Sequence, residues 1–182
     1  MNITIYCGAN AGDSPAYTKE AKKLGAWIGE HNHTLVWGAG AIGLMGAVAY
    51  GTLDAGGSAI GVIPDFIKEL EPPPAEFYSG RFQLEITENL TSRRVRMMEL
   101  GDVFVALPGG SGTLDELSEV IALMKFGIIT EPLILMSVEG FYAPLAAQLD
   151  AMVEHGFMTP DARAKIFVAK DAAEVAELIE TL

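Results

Sequence analysis

Cysteine is almost absent. Cys7 stands alone in 182 residues, which excludes an intrachain disulfide and a multi-cysteine zinc site and fits reducing surroundings. At the end of an apolar run, Cys7 itself reads as a small buried apolar group. Basic residues are scarce too. The 12 Lys and Arg face 24 Asp and Glu, and the formal charge of −12 repels nucleic acid and anionic membranes. The three histidines, His31, His33 and His155, form no metal-ligand pattern with carboxylates. No run reaches the ~18 uninterrupted apolar residues of a membrane span, and Met1 to Tyr6 lacks the basic start and long apolar core of a secretory leader. A cytoplasmic protein is expected, with no metal and with neither nucleic-acid nor membrane partners.

What the chain has is apolar alternation of elements. Half of its residues are hydrophobic (50%) and the mean hydropathy is +0.29, enough to bury one good core. No repeat, linker or low-complexity tract divides it, so one domain over 1–182 is expected. Strands are predicted at Ile3–Tyr6, Thr34–Trp37, Ala59–Ile63, Phe82–Ile86, Val103–Leu107, Pro132–Val138 and Ile166–Val168. Between them lie helical patterns. The first is opened by Ser14-Pro15 and runs to about His31, the second follows Gly43 and ends near Gly56-Gly57, and a third spans Thr87 to Gly101. Further helices are predicted after Gly112, over Tyr142–Glu154, as a turn capped at Thr159-Pro160, and at the end behind Asp171. Strands apolar on both faces that alternate with helices predict an α/β fold, a Rossmann-like doubly wound parallel sheet with helices on both faces. Lys68 to Gly80, with Pro72-Pro73-Pro74, reads as a loop over the strand ends and a candidate lid.

The segment most committed to chemistry is Pro108-Gly109-Gly110-Ser111-Gly112-Thr113-Leu114-Asp115-Glu116. It joins the strand at Val103–Leu107 to the helical pattern Leu117, Val120, Ile121, Met124. Glycines there let backbone N–H groups turn toward an anion, and the helix start adds positive dipole. There is no G-x-x-x-x-G-K-[ST] spacing and no lysine, so a monophosphate suits the loop better than a metal-bound triphosphate. Gly109, Gly110, Ser111, Gly112 and Thr113 are the candidate phosphate binders. Glu116 has two readings. Thr113-x-x-Glu116 matches a capping box, and a carboxylate one turn into the helix also faces whatever carries the phosphate. Gly38-x-Gly40-x-x-Gly43 matches the dinucleotide fingerprint, with Asp65 roughly 20 residues on. It follows the second strand rather than opening the first βαβ unit, so close strand–helix packing is its alternative reading.

Pro108 to Glu116 resembles the Pro-Gly-Gly-x-Gly-Thr-x-x-Glu signature of the Lonely Guy proteins, which are cytokinin riboside 5′-monophosphate phosphoribohydrolases. Arg93-Arg94-Val95-Arg96-Met97 is similar to the family's Arg-Lys-x-x-Met helix. Tyr6-Cys7-Gly8, Val36 to Gly40 through Gly43 to Gly46, Gly61 to Pro64 and Gly140-Phe141-Tyr142 extend the likeness over most of the chain. The resemblance implies hydrolysis of the N-glycosidic bond of a nucleoside 5′-monophosphate, with Glu116 and Arg93 catalytic. Arg94, Met97 and Gly8 are implied in substrate binding, and Glu76 is the nearest match to an acidic residue the family often carries before the arginine helix. No cofactor is implied. Three of the five arginines fall at Arg93, Arg94 and Arg96, which focuses the scarce positive charge near one helix.

The resemblance also implies a homodimer or larger even assembly, for which the helix offers Val120, Ile121, Met124 and Phe126. The chain departs from the family at Arg94 (usually Lys), at Ala9-Asn10 (usually serines) and at Ala122, which opens Ala122-Leu123-Met124-Lys125-Phe126-Gly127 where relatives often read Thr-Trp-x-Gln-Leu-Gly. N6-prenylated AMP and plain AMP are both candidate substrates. Some family members carry a lysine decarboxylase label, but pyridoxal chemistry needs a Schiff-base lysine, and none of the seven lysines sits at a predicted glycine loop. A non-catalytic nucleotide sensor remains the alternative outside enzymes.

Overall fold

The computed structural model describes residues 1–182 apart from the side chain of Ser79. Its seven strands are β1 (Asn2–Tyr6), β2 (Thr34–Trp37), β3 (Ser58–Pro64), β4 (Arg81–Thr87), β5 (Val103–Ala106), β6 (Leu133–Met136) and β7 (Ile166–Ala169). They form one sheet in the order β4-β3-β2-β1-β5-β6-β7, and every pairing is parallel. The order reverses between β1 and β5. In an open parallel sheet that is where the crossovers diverge to opposite faces and leave a crevice at the carboxyl ends of the strands.

Both faces of the sheet are apolar because successive side chains on a strand point to opposite sides. From β1 and β5, Ile3, Ile5, Val103 and Val105 join one core cluster, while Tyr6, Phe104 and Ala106 join the other. The first cluster packs under α1 (Pro15–Glu30), α2 (Gly43–Asp54) and α8 (Ala172–Thr181) through Leu24, Ile28, Leu44, Val48, Val175 and Ile179. The second packs under α4 (Leu90–Leu100), α5 (Ser111–Lys125) and α6 (Ala143–Glu154) through Met97, Leu117, Val120, Met124 and Leu149. Val120 and Met124, offered for subunit contact, are therefore core residues. Phe126 is 72% exposed. The short α7 (Pro160–Ala164) is capped by Thr159, as its sequence predicts.

Two stretches differ from the sequence-based expectation. Residues 65–80 are not a bare loop: Asp65–Leu70 forms α3, and Ala75–Ser79 forms a 3-10 turn. That turn is anchored by Phe77, which is buried and meets the rings of Tyr50, Phe82 and Trp37 edge-on at 5.0, 5.7 and 6.1 Å. The helix expected from Thr87 starts instead at Leu90. Asn89 caps it, accepting from the Ser92 N–H at 2.9 Å while its own N–H donates to Ser92 Oγ at 3.1 Å. The reciprocal pair fixes the first turn, which carries Arg93. Asn89→Ala is expected to lower stability by about 1 kcal/mol, read as a lower urea midpoint with an unchanged m-value.

Candidate active site

The crevice at the reversal point is walled by extensions of the sheet ladder. Beyond the last paired residues, Tyr6 and Ala106, the Leu107 N–H donates to the Tyr6 carbonyl at 2.9 Å and the Gly8 N–H to the Pro108 carbonyl at 3.1 Å. The Gly8 carbonyl in turn accepts from Leu44 and Met45 at the start of α2, at 3.2 and 3.4 Å. Gly8 is thus the junction of three segments, and its N–H is committed to the protein. A side chain there would press on Gly109, whose Cα lies 3.3 Å from the position of a Cβ.

From Gly110 the chain enters α5 with no side-chain cap; Gly110 occupies the N-cap position. The capping box suggested by Thr113 and Glu116 does not form. Thr113 lies inside the helix, buried, with its own Cβ 2.6 Å from where a Cβ on Gly109 would stand. The box fails because the helix begins three residues earlier than the Thr-x-x-Glu spacing assumes, with Gly110 rather than Thr113 at the N-cap. By contrast α1, α4, α7 and α8 are all capped by side chains, those of Ser14, Asn89, Thr159 and Asp171. At Gly110 and Gly112 a Cβ would meet nothing within 4 Å. The start of α5 therefore presents open backbone to a cavity of about 460 Å³, within the usual range for small-molecule sites.

Glu116 and Arg93 both line that cavity. Their side chains are 13% and 16% exposed, and Arg93 Nη2 donates to Glu116 Oε1 at a long 3.5 Å. Burial pushes the Glu116 carboxyl above its ordinary value, and Asp115 adds to the rise; Arg93 and, less, Arg94 hold it back. The same burial, with the charge of Glu116, pushes the thiol of Cys7 far up. Cys7 lines the cavity as a neutral thiol and is no nucleophile.

The structure gathers Gly8, Arg93, Gly109, Gly110, Ser111, Gly112, Thr113 and Glu116 around one cavity. Three sequence candidates lie elsewhere. Arg94 donates to Glu119 at 2.6 Å and meets Asp115 at 3.1 Å, clamping α4 to α5. Met97 is fully buried in the core, and its carbonyl accepts from Thr4 Oγ1 at 3.0 Å, docking α4 on β1. Glu76 accepts from the Tyr50 hydroxyl at 3.0 Å, and neither it nor any other residue of 65–80 lines the cavity. The remaining lining includes Asn10, Asp13, Tyr17, Leu44, Met45 and Phe141. Tyr17 and Asp13 were not singled out from the sequence. Gly12, at φ +77, was the available signal: a Cβ there would stand 2.6 Å from the Tyr17 ring.

Residues 45–179 match a family model described as a possible lysine decarboxylase. The chain is 35% identical over 170 residues to a cytokinin riboside 5′-monophosphate phosphoribohydrolase of Rhodococcoides fascians, covering 93% of this chain and 84% of the relative. It is 37% identical over 179 residues to an enzyme of the same description from Arabidopsis thaliana, covering 98% and 82%. The chain belongs to the Lonely Guy family. As a Lonely Guy protein it shares its fold with a molybdenum cofactor binding protein of Rippkaea orientalis at TM-score 0.74 and 21% identity, over 99% of this chain and 95% of the other. The decarboxylase description finds no support at this site. None of the chain's lysines lines the cavity, so the residues do not fit a pyridoxal group.

The raised Glu116 carboxyl carries a sign that can be checked. Its native state holds the proton more tightly than the unfolded chain, so this group's contribution is fully present below the ordinary carboxylate range and is lost as pH rises through the native titration. Between about pH 4 and pH 7, the difference in unfolding free energy between wild type and Glu116→Gln should move in favour of the variant. A difference that stays flat, or moves toward wild type, would mean the carboxyl is not raised.

Proposed function

We propose that this protein hydrolyses the N-glycosidic bond of adenosine 5′-monophosphates, N6-modified ones included, releasing the free base and ribose 5-phosphate. The observation that carries the reading is the uncapped start of α5, cleared at Gly110 and Gly112, opening into the cavity that holds Glu116 and Arg93. A phosphate there takes the place of the missing cap and holds the sugar against Glu116. The bond from C1′ to the base nitrogen breaks with its electron pair going to the base, which leaves an oxocarbenium-like sugar. The Glu116 carboxylate stabilises that charge and takes a proton from the water that adds at C1′; the base, which leaves with the electron pair, takes up one proton from solvent, and Glu116 returns its proton to solvent. Arg93 offsets negative charge on phosphate or departing base. No metal or organic cofactor enters any step.

The relatives' descriptions support the substrate class. Asn10, one of the positions where this chain departs from the family, lines the cavity and bears on which base is preferred. Among the described residues no helix is long and apolar enough to cross a membrane; with the acidic composition, we read the protein as cytoplasmic. The apolar side chains exposed at Leu90 and Val95 on α4, Leu114 on α5, and Phe126 and Ile128 beyond it are the surface groups we offer for self-association. Light scattering should give a dimer or a larger even assembly, and a fully active monomer would remove that claim.

Chromatography of released bases tests the activity. AMP and N6-isopentenyl-AMP should be cleaved and adenosine hardly at all; equal rates on adenosine and AMP would contradict the assigned phosphate site, and AMP bound without release would make the protein a sensor. Glu116→Gln should cut turnover roughly 100-fold or more while the protein stays folded and keeps its hold on the phosphate. Near-normal base release from the folded variant would send the catalytic role elsewhere.

A further inference from the structure

We propose that Gly38 is a positioning residue for the Arg93–Glu116 pair, because the volume its side chain would fill is where the Arg93 guanidinium lies. Gly38 directly follows β2. A Cβ there would overlap Nη2 of Arg93 and stand 2.8 Å from its Cζ and 3.3 Å from its Nε. The atoms it meets are the far end of the Arg93 side chain, which is only 16% exposed, so a Cβ there would displace the guanidinium rather than the backbone.

Hydrogen bonding does little to hold that head. Its bond to Glu116 is 3.5 Å long, and Arg93 Nε is the one buried side-chain polar atom without a partner among the described residues. The neighbouring arginines are gripped: Arg94 by Glu119 at 2.6 Å and Asp115 at 3.1 Å, Arg96 by Glu85 at 2.6 and 3.2 Å. Shape therefore sets Arg93, and Gly38 supplies the shape. This accounts for one glycine of the Gly38-x-Gly40-x-x-Gly43 fingerprint without a dinucleotide. The other two clear space for different neighbours, Gly40 for the thioether end of Met45 (Sδ at 3.0 Å) and Gly43, at φ +56, for the carbonyl of Ala9 and the following Asn10 N (2.6 Å).

The proposal rests on the reading of Arg93 and Glu116 as the reacting pair, and two measurements keep the failure of one apart from the failure of the other. The first is a double-mutant cycle on AMP cleavage with Gly38→Ala, Arg93→Ala and the double variant. Gly38→Ala should lower kcat roughly tenfold or more with a smaller change in KM, and should cost almost nothing further in the Arg93→Ala background. Equal costs in both backgrounds would overturn the proposal. The second needs no turnover: the Glu116 carboxyl is titrated by carbon NMR in the same four proteins. The charged and titratable groups that face it are Arg93 and Arg94 from α4, Asp115 on α5, Tyr6 at the end of β1, Cys7, and Tyr142 before α6. The three atoms nearest a Cβ at Gly38 all belong to Arg93, so Gly38→Ala should shift the titration upward as Arg93→Ala does, with no further shift in the double variant. An unchanged titration in folded Gly38→Ala would overturn the proposal, even if wild type proves to release no base. Should Gly38→Ala not fold, Arg93→Ala must restore folding; an unrescued double variant would count equally against it.

Discussion

The pairing of β1 with β5 is the constraint on which the rest depends. These two strands lie at the point where strand order reverses, so the helices that follow them leave on opposite faces and a crevice opens between. Every group with a proposed role is delivered to that crevice by a segment packed on one of them. Gly8 follows β1 directly, the glycine loop and Glu116 follow β5, and Arg93 comes from α4, which Thr4 of β1 holds through the Met97 carbonyl. Residues distant in sequence meet there because the sheet puts them together, with no single local motif sufficient for the site.

The electrostatics follow from scarcity. In a chain of formal charge −12, a carboxylate sunk beside one long-range guanidinium contact is poorly neutralised. Burying an ion pair costs desolvation on both sides, and a contact of 3.5 Å recovers little of it. The pair is thus badly made as a stabilising bridge, and both partners keep capacity for the ligand that the proposed function gives them. The other arginines on α4 do the structural work: Arg94 ties α4 to α5, and Arg96 ties it to β4 through Glu85.

Much of this was legible in the residues. The strands stood out because parallel strands buried on both faces are apolar throughout, and the glycine loop because a run of glycines between strand and helix leaves backbone N–H groups uncovered. Arg93 and Glu116 were recoverable from the loop and from the likeness to a family. Other features were hidden because their signals are ambiguous at the level of spacing. Thr113-x-x-Glu116 has the letters of a capping box, yet α5 starts at Ser111, and the threonine fills the gap above Gly109 instead. Met97 shares a helix face with Arg93, but that face turns from cavity to core within one turn. Phe77 holds residues 75–79 down by ring contacts with Trp37 and Phe82, partners remote or unmarked in sequence, so a proline-rich stretch looked like a lid.

Because the Leu107-to-Tyr6 and Gly8-to-Pro108 bonds continue the central ladder, the floor of the cavity is an extension of the sheet. Such a floor opens only when the middle of the molecule unzips, an event with a free energy near that of global unfolding. Ligand exchange must then pass over the rim, where Tyr17 and Phe141 meet edge-on at 6.2 Å. The amides of Leu107 and Gly8 would exchange hydrogen with solvent as slowly as core amides, marking the proposed binding surface by rigidity where binding surfaces are more often marked by motion.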